Sequence, residues 1–145
     1  MSIEVTIALE ATDELVDGLN HLLPQLSANA TALRIDDVRA MVRSEASTLF
    51  VARDGDRVIG TLTLVTFLIP TGRRAWIEDV VVDADARGAG AGELLTKVAI
   101  EEATRRGVRT IELSSRPSRA AANALYRKLG FVERETNVYR FFIEN

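Results

Sequence analysis

The sequence predicts a mixed α/β fold, and three observations carry that prediction. Strand-period and helix-period apolar stretches follow one another along the whole chain. Asp54-Gly55 stands between two runs rich in β-branched residues, as in a hairpin. The run Arg87-Gly88-Ala89-Gly90-Ala91-Gly92 separates an apolar strand from an amphipathic helix. At 145 residues the chain is expected to form one domain, residues 1–145, with a core that needs neither disulfides nor metal.

Each element has its own local signal. Ile3 to Leu9 alternates as a first strand. Thr12-Asp13-Glu14 is a helix-start cluster leading into Leu15, Leu19, Leu22 and Leu23, and Pro24 interrupts or ends that helix. A second helix begins near Asp36 and carries Val38, Met41 and Val42. Thr48 to Arg53 and Arg57 to Ile69 pair across Asp54-Gly55-Asp56. Trp76 to Asp83 is a fourth strand by its β-branched content. After the glycine run, Leu94, Leu95, Val98, Ala99 and Ala103 recur at helical spacing until Gly107 closes the helix. Thr110 to Ser114 is a fifth strand, and Pro117 and Ser118 start a last helix that Gly130 ends. Val132 to Glu135 and Val138 to Ile143 are predicted as a closing hairpin around Thr136-Asn137.

Composition narrows the chemistry. There is no cysteine, so no disulfide, thiolate metal site or cysteine nucleophile, and the only histidine is His21, read as a packed or surface residue. No metal site is expected. The net charge of −3, from 18 basic and 21 acidic residues, argues against a nucleic-acid partner. Val58 to Pro70 is too short and polar to span a membrane, so a cytoplasmic protein without a membrane partner is expected. A homodimer is compatible with all of this.

The glycine run is an anion site by its physics. Backbone N–H groups at a helix N-terminus point one way, and small residues let a phosphate approach them. A P-loop string is absent, and the dinucleotide pattern Gly-x-Gly-x-x-Gly fails at Glu93 or at Leu95, depending on the glycine it starts from. What remains is Arg-x-x-Gly-x-Gly at Arg87, Gly90 and Gly92. A second segment runs from Ser118 to Phe131, with Asn123 and Tyr126 at i, i+3 on one helix face and a Leu129-Gly130-Phe131 close.

In order and spacing these two segments resemble the GNAT superfamily of N-acetyltransferases. The resemblance implies a mixed, mostly antiparallel sheet, splayed between its fourth and fifth strands and flanked by about four helices. It implies acetyl-CoA as co-substrate, its pyrophosphate on Arg87, Gly88, Ala89, Gly90, Ala91 and Gly92. The peptide groups of Val80, Val81 and Val82 would bind the pantetheine arm and polarise the acetyl carbonyl, with Asn123 contacting the arm. Tyr126 becomes the general acid for the departing thiolate, a phenol of reference pKa about 10 facing a thiol near 8.5. Glu78 becomes the base or acceptor ligand, placed on the face of Val80 in an unbroken strand, although a bulge would exchange it with Asp79. Ser115 and Arg116 stand where amino-sugar-phosphate members carry an assisting acidic residue, a departure that leaves Arg116 as a grip for an acceptor anion. The implied acceptor is the primary amine of a small molecule. The alternatives are a protein N-terminus or lysine, and a non-catalytic acyl-CoA-binding module.

Overall fold

The computed structural model describes residues 2–144. The chain builds two compact units, Met1–Ser114 and Ser115–Asn145. The first contains β1 (Ile3–Ile7), α1 (Asp13–Leu26), α2 (Ile35–Arg43), β2 (Ser47–Asp54), β3 (Arg57–Ile69), β4 (Gly72–Val82), α3 (Ala91–Arg105) and β5 (Thr110–Glu112). A 3-10 turn, Ala84–Ala86, links β4 to the glycine run. The sheet follows chain order, β1 to β5. Its first three pairings are antiparallel and β4–β5 is parallel, the mixed sheet expected from the sequence.

Local chemistry explains the helices. The Thr12 hydroxyl accepts the Leu15 N–H at 3.2 Å and caps α1, whose first turn carries Asp13 and Glu14 against the helix dipole. Pro24 lies inside α1, which continues past it to Leu26. Gly18 lets α1 settle on β3: a β-carbon there would stand 2.8 Å from Val58 Cβ. That contact repays the roughly 1 kcal/mol a glycine costs inside a helix.

Two apolar layers sandwich the sheet. On one face Leu15, Leu19 and Leu22 of α1 and Val38 of α2 pack on Leu49, Val51, Val58 and Val81. The other face presents Phe50 beside Leu62 and Leu64 beside Ile77, all buried. Helix α3 covers it with Leu95, Ala99 and Ala103, pressed so close that a β-carbon on Gly60 would lie 3.2 Å from Leu95 Cδ1.

The splay is visible in the pairing. Strand β5 joins β4 only through Arg74↔Thr110, Ala75↔Ile111 and Trp76↔Glu112. From Ile77 to Val82 one edge of β4 has no strand beside it among the described residues.

The second unit holds α4 (Ala120–Lys128), closed by Gly130 at φ +101°. The closing hairpin predicted over Val132 to Ile143 does not form: 131–144 contain no strand. The residue types favour strands, but Thr136-Asn137 lacks the glycine that a tight hairpin turn draws on for its positive φ, so nothing local folds the segment on itself. No described helix is long and apolar enough to cross a membrane.

Candidate active site

The glycine run starts α3 as an open cradle. Gly88 and Gly90 hold φ of +85° and +91°, and a β-carbon built on either meets nothing within 4 Å. Gly90 is the N-cap of α3, and no side chain caps that end. The first-turn N–H groups of the helix therefore face the space above Gly88–Gly90, as an anion requires. Arg87, Gly88, Ala89 and Gly90 are exposed, whereas Ala91 is buried and anchors the first turn to the core.

A bulge in β4 shapes the neighbouring edge. Glu78 stands opposite Thr63 and Val81 opposite Thr61, so Asp79 and Val80 together face Leu62. Asp79 absorbs the extra residue at φ +51°. Glu78 consequently shares the face of Val81, which packs under α1 and α2, and not the face of Val80 that unbroken alternation predicts. The Asp83 N–H donates to Ile59 O at 2.7 Å, so the peptide of Val82, one residue back, turns toward the open edge. The sequence assigned Val80, Val81 and Val82 alike to the pantetheine arm. The register instead turns the Val81 peptide toward β3, because Val81 stands two residues before Asp83.

On the Glu78 face, Phe67, Ile69, Arg74, Trp76, Thr110 and Glu112 line a depression of about 200 Å³. Trp76 and Glu78 are two residues apart on that face, opposite Val65 and Thr63. Glu78 is exposed and lies two residues along this face from Trp76, which lines the hollow, while Glu78 itself is not a lining residue.

One part of the site was not legible in the sequence. Asp83, the residue between β4 and the 3-10 turn, is 1% exposed. Its Oδ2 accepts from Arg57 Nη2 at 3.0 Å and from His21 Nε2 at 2.9 Å, and its Oδ1 from the Asp85 N–H at 3.1 Å. A carboxylate only accepts, so Nε2 is the protonated nitrogen of His21. Gln25 Oε1 of α1 accepts the Ala84 N–H at 2.9 Å. Side chains from α1 and β3 therefore hold the turn that leads into the glycine run. Burial pushes the Asp83 pKa up, but the Asp85 N–H, Arg57 and His21 outweigh it and hold the carboxyl below the ordinary value. The stability it contributes is fully present above about pH 4 and is lost as pH falls through the lower folded pKa. Asp83→Asn is expected to cost about 1–3 kcal/mol, lowering Tm by several degrees. It should also loosen the turn that leads into the glycine run and weaken anion binding there several-fold, which calorimetry checks.

Four sequence-predicted residues belong to the second unit. Tyr126 is buried, its ring 5.7 Å from that of Phe131 in an edge-to-face contact. Burial raises the Tyr126 pKa and nearby Arg119 opposes the rise, so the hydroxyl stays protonated throughout the neutral range. Asn123 Nδ2 donates to Arg116 O at 3.0 Å and so ties the start of α4 to the turn before it. Ser115 Oγ is buried with no hydrogen-bond partner among the described residues, and Arg116 is exposed.

Residues 15–131 match the sequence model of the acetyltransferase (GNAT) family. The chain is 32% identical over 133 residues to glucosamine 6-phosphate N-acetyltransferase 1 of Oryza sativa subsp. japonica, across 86% of this chain and 76% of that protein. Over 59 residues it is 44% identical to the ribosomal protein bS18-alanine N-acetyltransferase of Escherichia coli (strain K12), covering 41% of this chain and 40% of that one. A solved aminoglycoside acetyltransferase from an uncultured soil metagenomic sample matches with a TM-score of 0.85, over 99% of this chain and 97% of the other. At 17% identity that likeness concerns the fold.

Proposed function

This chain belongs to the acetyltransferase (GNAT) family and is an acetyl-CoA-dependent N-acetyltransferase, and from that premise we propose that it acetylates the primary amine of a small molecule by direct attack in a ternary complex. The observation that supports the acceptor class is the shallow hollow of about 200 Å³ lined by Trp76, two residues along the strand face from Glu78. The protein-acceptor reading rests on a relative matched over 41% of this chain, and the non-catalytic reading finds no support in these relatives.

The residues present fit acetyl-CoA, which supplies the activated acetyl group. Empty space over Gly88 and Gly90 is where added β-carbons would intrude, so these two glycines keep the cradle open for a pyrophosphate. Arg87 and the N–H groups through Gly92 hold that charge, and the Val82 peptide, with the Val80 bulge, offers donors at the open edge. Asn123 steadies the arm from α4. Tyr126 delivers a proton to the departing sulfur, a role its raised pKa suits because the donor must arrive protonated. Glu78 takes the ammonium proton or orients the amine, and Ser115 and Arg116 bind polar groups of the acceptor.

Glu78→Gln tests the amine side. An amine of pKa about 10.4 is almost wholly protonated at neutral pH, so a base is worth having. If Glu78 removes the proton, the variant should lose roughly 10-fold or more in kcat/KM near neutrality and regain part of it at high pH, where the amine arrives neutral. If Glu78 only binds the acceptor, KM rises with no recovery at high pH. Wild-type kcat and KM across pH, on an authentic acceptor, would exclude both roles.

A further inference from the structure

His21, the only histidine of the chain, reads in the sequence as a packed or surface residue, yet its ring holds the turn that feeds the glycine run. Nε2 donates to Asp83 Oδ2 at 2.9 Å, and Arg57 Nη2 donates to the same oxygen at 3.0 Å. Four residues on, Gln25 accepts the Ala84 N–H, so α1 grips two successive residues of the chain just before Arg87. The imidazole is 60% exposed, whereas the Asp83 side chain is 2% exposed. Nδ1 has no hydrogen-bond partner among the described residues, so a proton from water can add there without disturbing the Nε2–H bond. Charges face the ring from three elements. The turn supplies Asp83 and Asp85, β3 supplies Arg57, which lies 3.7 Å from Asp85, and α1 itself places Asp17 one turn before His21. Around Asp83 two carboxylates outnumber one guanidinium, and a protonated ring balances them.

We propose that His21 is a positioning residue for the co-substrate: acting through Asp83, its protonated ring firms the turn before the glycine run and raises the affinity of that run for acetyl-CoA, a role that rests on the reading of the run as the pyrophosphate cradle. Two effects share this sign. A charged donor holds the buried carboxylate more strongly than a neutral one. A cluster relieved of its excess negative charge also repels an incoming pyrophosphate less. Histidine is the side chain that changes charge between about pH 5 and 8, so co-substrate affinity follows pH across that range. By linkage, bound acetyl-CoA favours the protonated ring in the same proportion.

Calorimetry with acetyl-CoA on wild type and His21→Gln, at about pH 5.5 and about pH 8, tests this. Glutamine offers an N–H donor in place of Nε2 but does not titrate. The 3′-phosphate of acetyl-CoA takes up a proton of its own near about pH 6, and the variant reports that contribution alone. The two proteins should bind equally at the higher pH, and wild type roughly 3-fold more tightly than His21→Gln at the lower. His21→Ala, which lacks the donor, should bind more weakly at both. The single imidazole signal in proton NMR of wild type should titrate at higher pH with acetyl-CoA than without it, a measurement that needs no variant to fold. Parallel affinity profiles of wild type and His21→Gln would overturn the proposal, as would an imidazole titration indifferent to acetyl-CoA. Undiminished affinity in Gly90→Asp would instead remove the cradle, and the role of His21 with it.

Discussion

Gly90→Asp is expected to lose measurable acetyl-CoA binding while the protein stays folded. Gly90 is the left-handed N-cap of α3, at φ +91°, and a β-carbon on it meets no protein atom within 4 Å. The new side chain therefore clashes with nothing in the protein, and aspartate is among the residues that best tolerate this backbone region, at a strain of about 1–2 kcal/mol. What it fills is the space above the helix start, and it does so with a negative charge. Its carboxylate also caps the first-turn N–H groups that would otherwise bind phosphate oxygens. Steric exclusion, like-charge repulsion and donor capture act together, so an affinity of micromolar order should fall at least ~10²-fold, below calorimetric detection. Gly90→Ala separates the causes, since it carries the strain without the charge and should bind weakly but measurably. Unchanged affinity in a folded Gly90→Asp protein would remove the glycine run from the co-substrate site.

Tyr126→Phe should bind acetyl-CoA nearly as wild type and turn over ~10²-fold or more slowly, the lower range for general acid catalysis. The substitution keeps the ring and its edge contact with Phe131, so packing in the second unit is preserved. Only the hydroxyl is lost. The raised pKa keeps that hydroxyl protonated at neutral pH, so the wild-type donor is available across the working range and the variant has none. Single-turnover rates with chemistry limiting are the measurement. A near-normal rate would leave Tyr126 as a packing residue of α4.

Signals that act within a few residues were legible before folding. Thr12 caps α1, Asp54-Gly55 turns β2 into β3, and Gly90 opens α3 where the sequence places each of them. The family motifs belong with these, because a glycine spacing and an i, i+3 pair are geometric within one turn of chain. Three features were decided only by contacts far apart in sequence. Which side of the sheet Glu78 takes depends on the bulge opposite Leu62, and a bulge is a property of two paired strands. Asp83 reads as an ordinary acidic turn residue until His21, 62 positions away, and Arg57, 26 away, close on it and α1 buries it. The C-terminal segment has the residue types of strands, yet none forms among the described residues, because a strand acquires its hydrogen bonds only from a neighbour's edge. Local propensity wrote the elements and the motif positions. Register, burial of charge and strand partnership are relations between distant segments, and they had to wait for the tertiary structure.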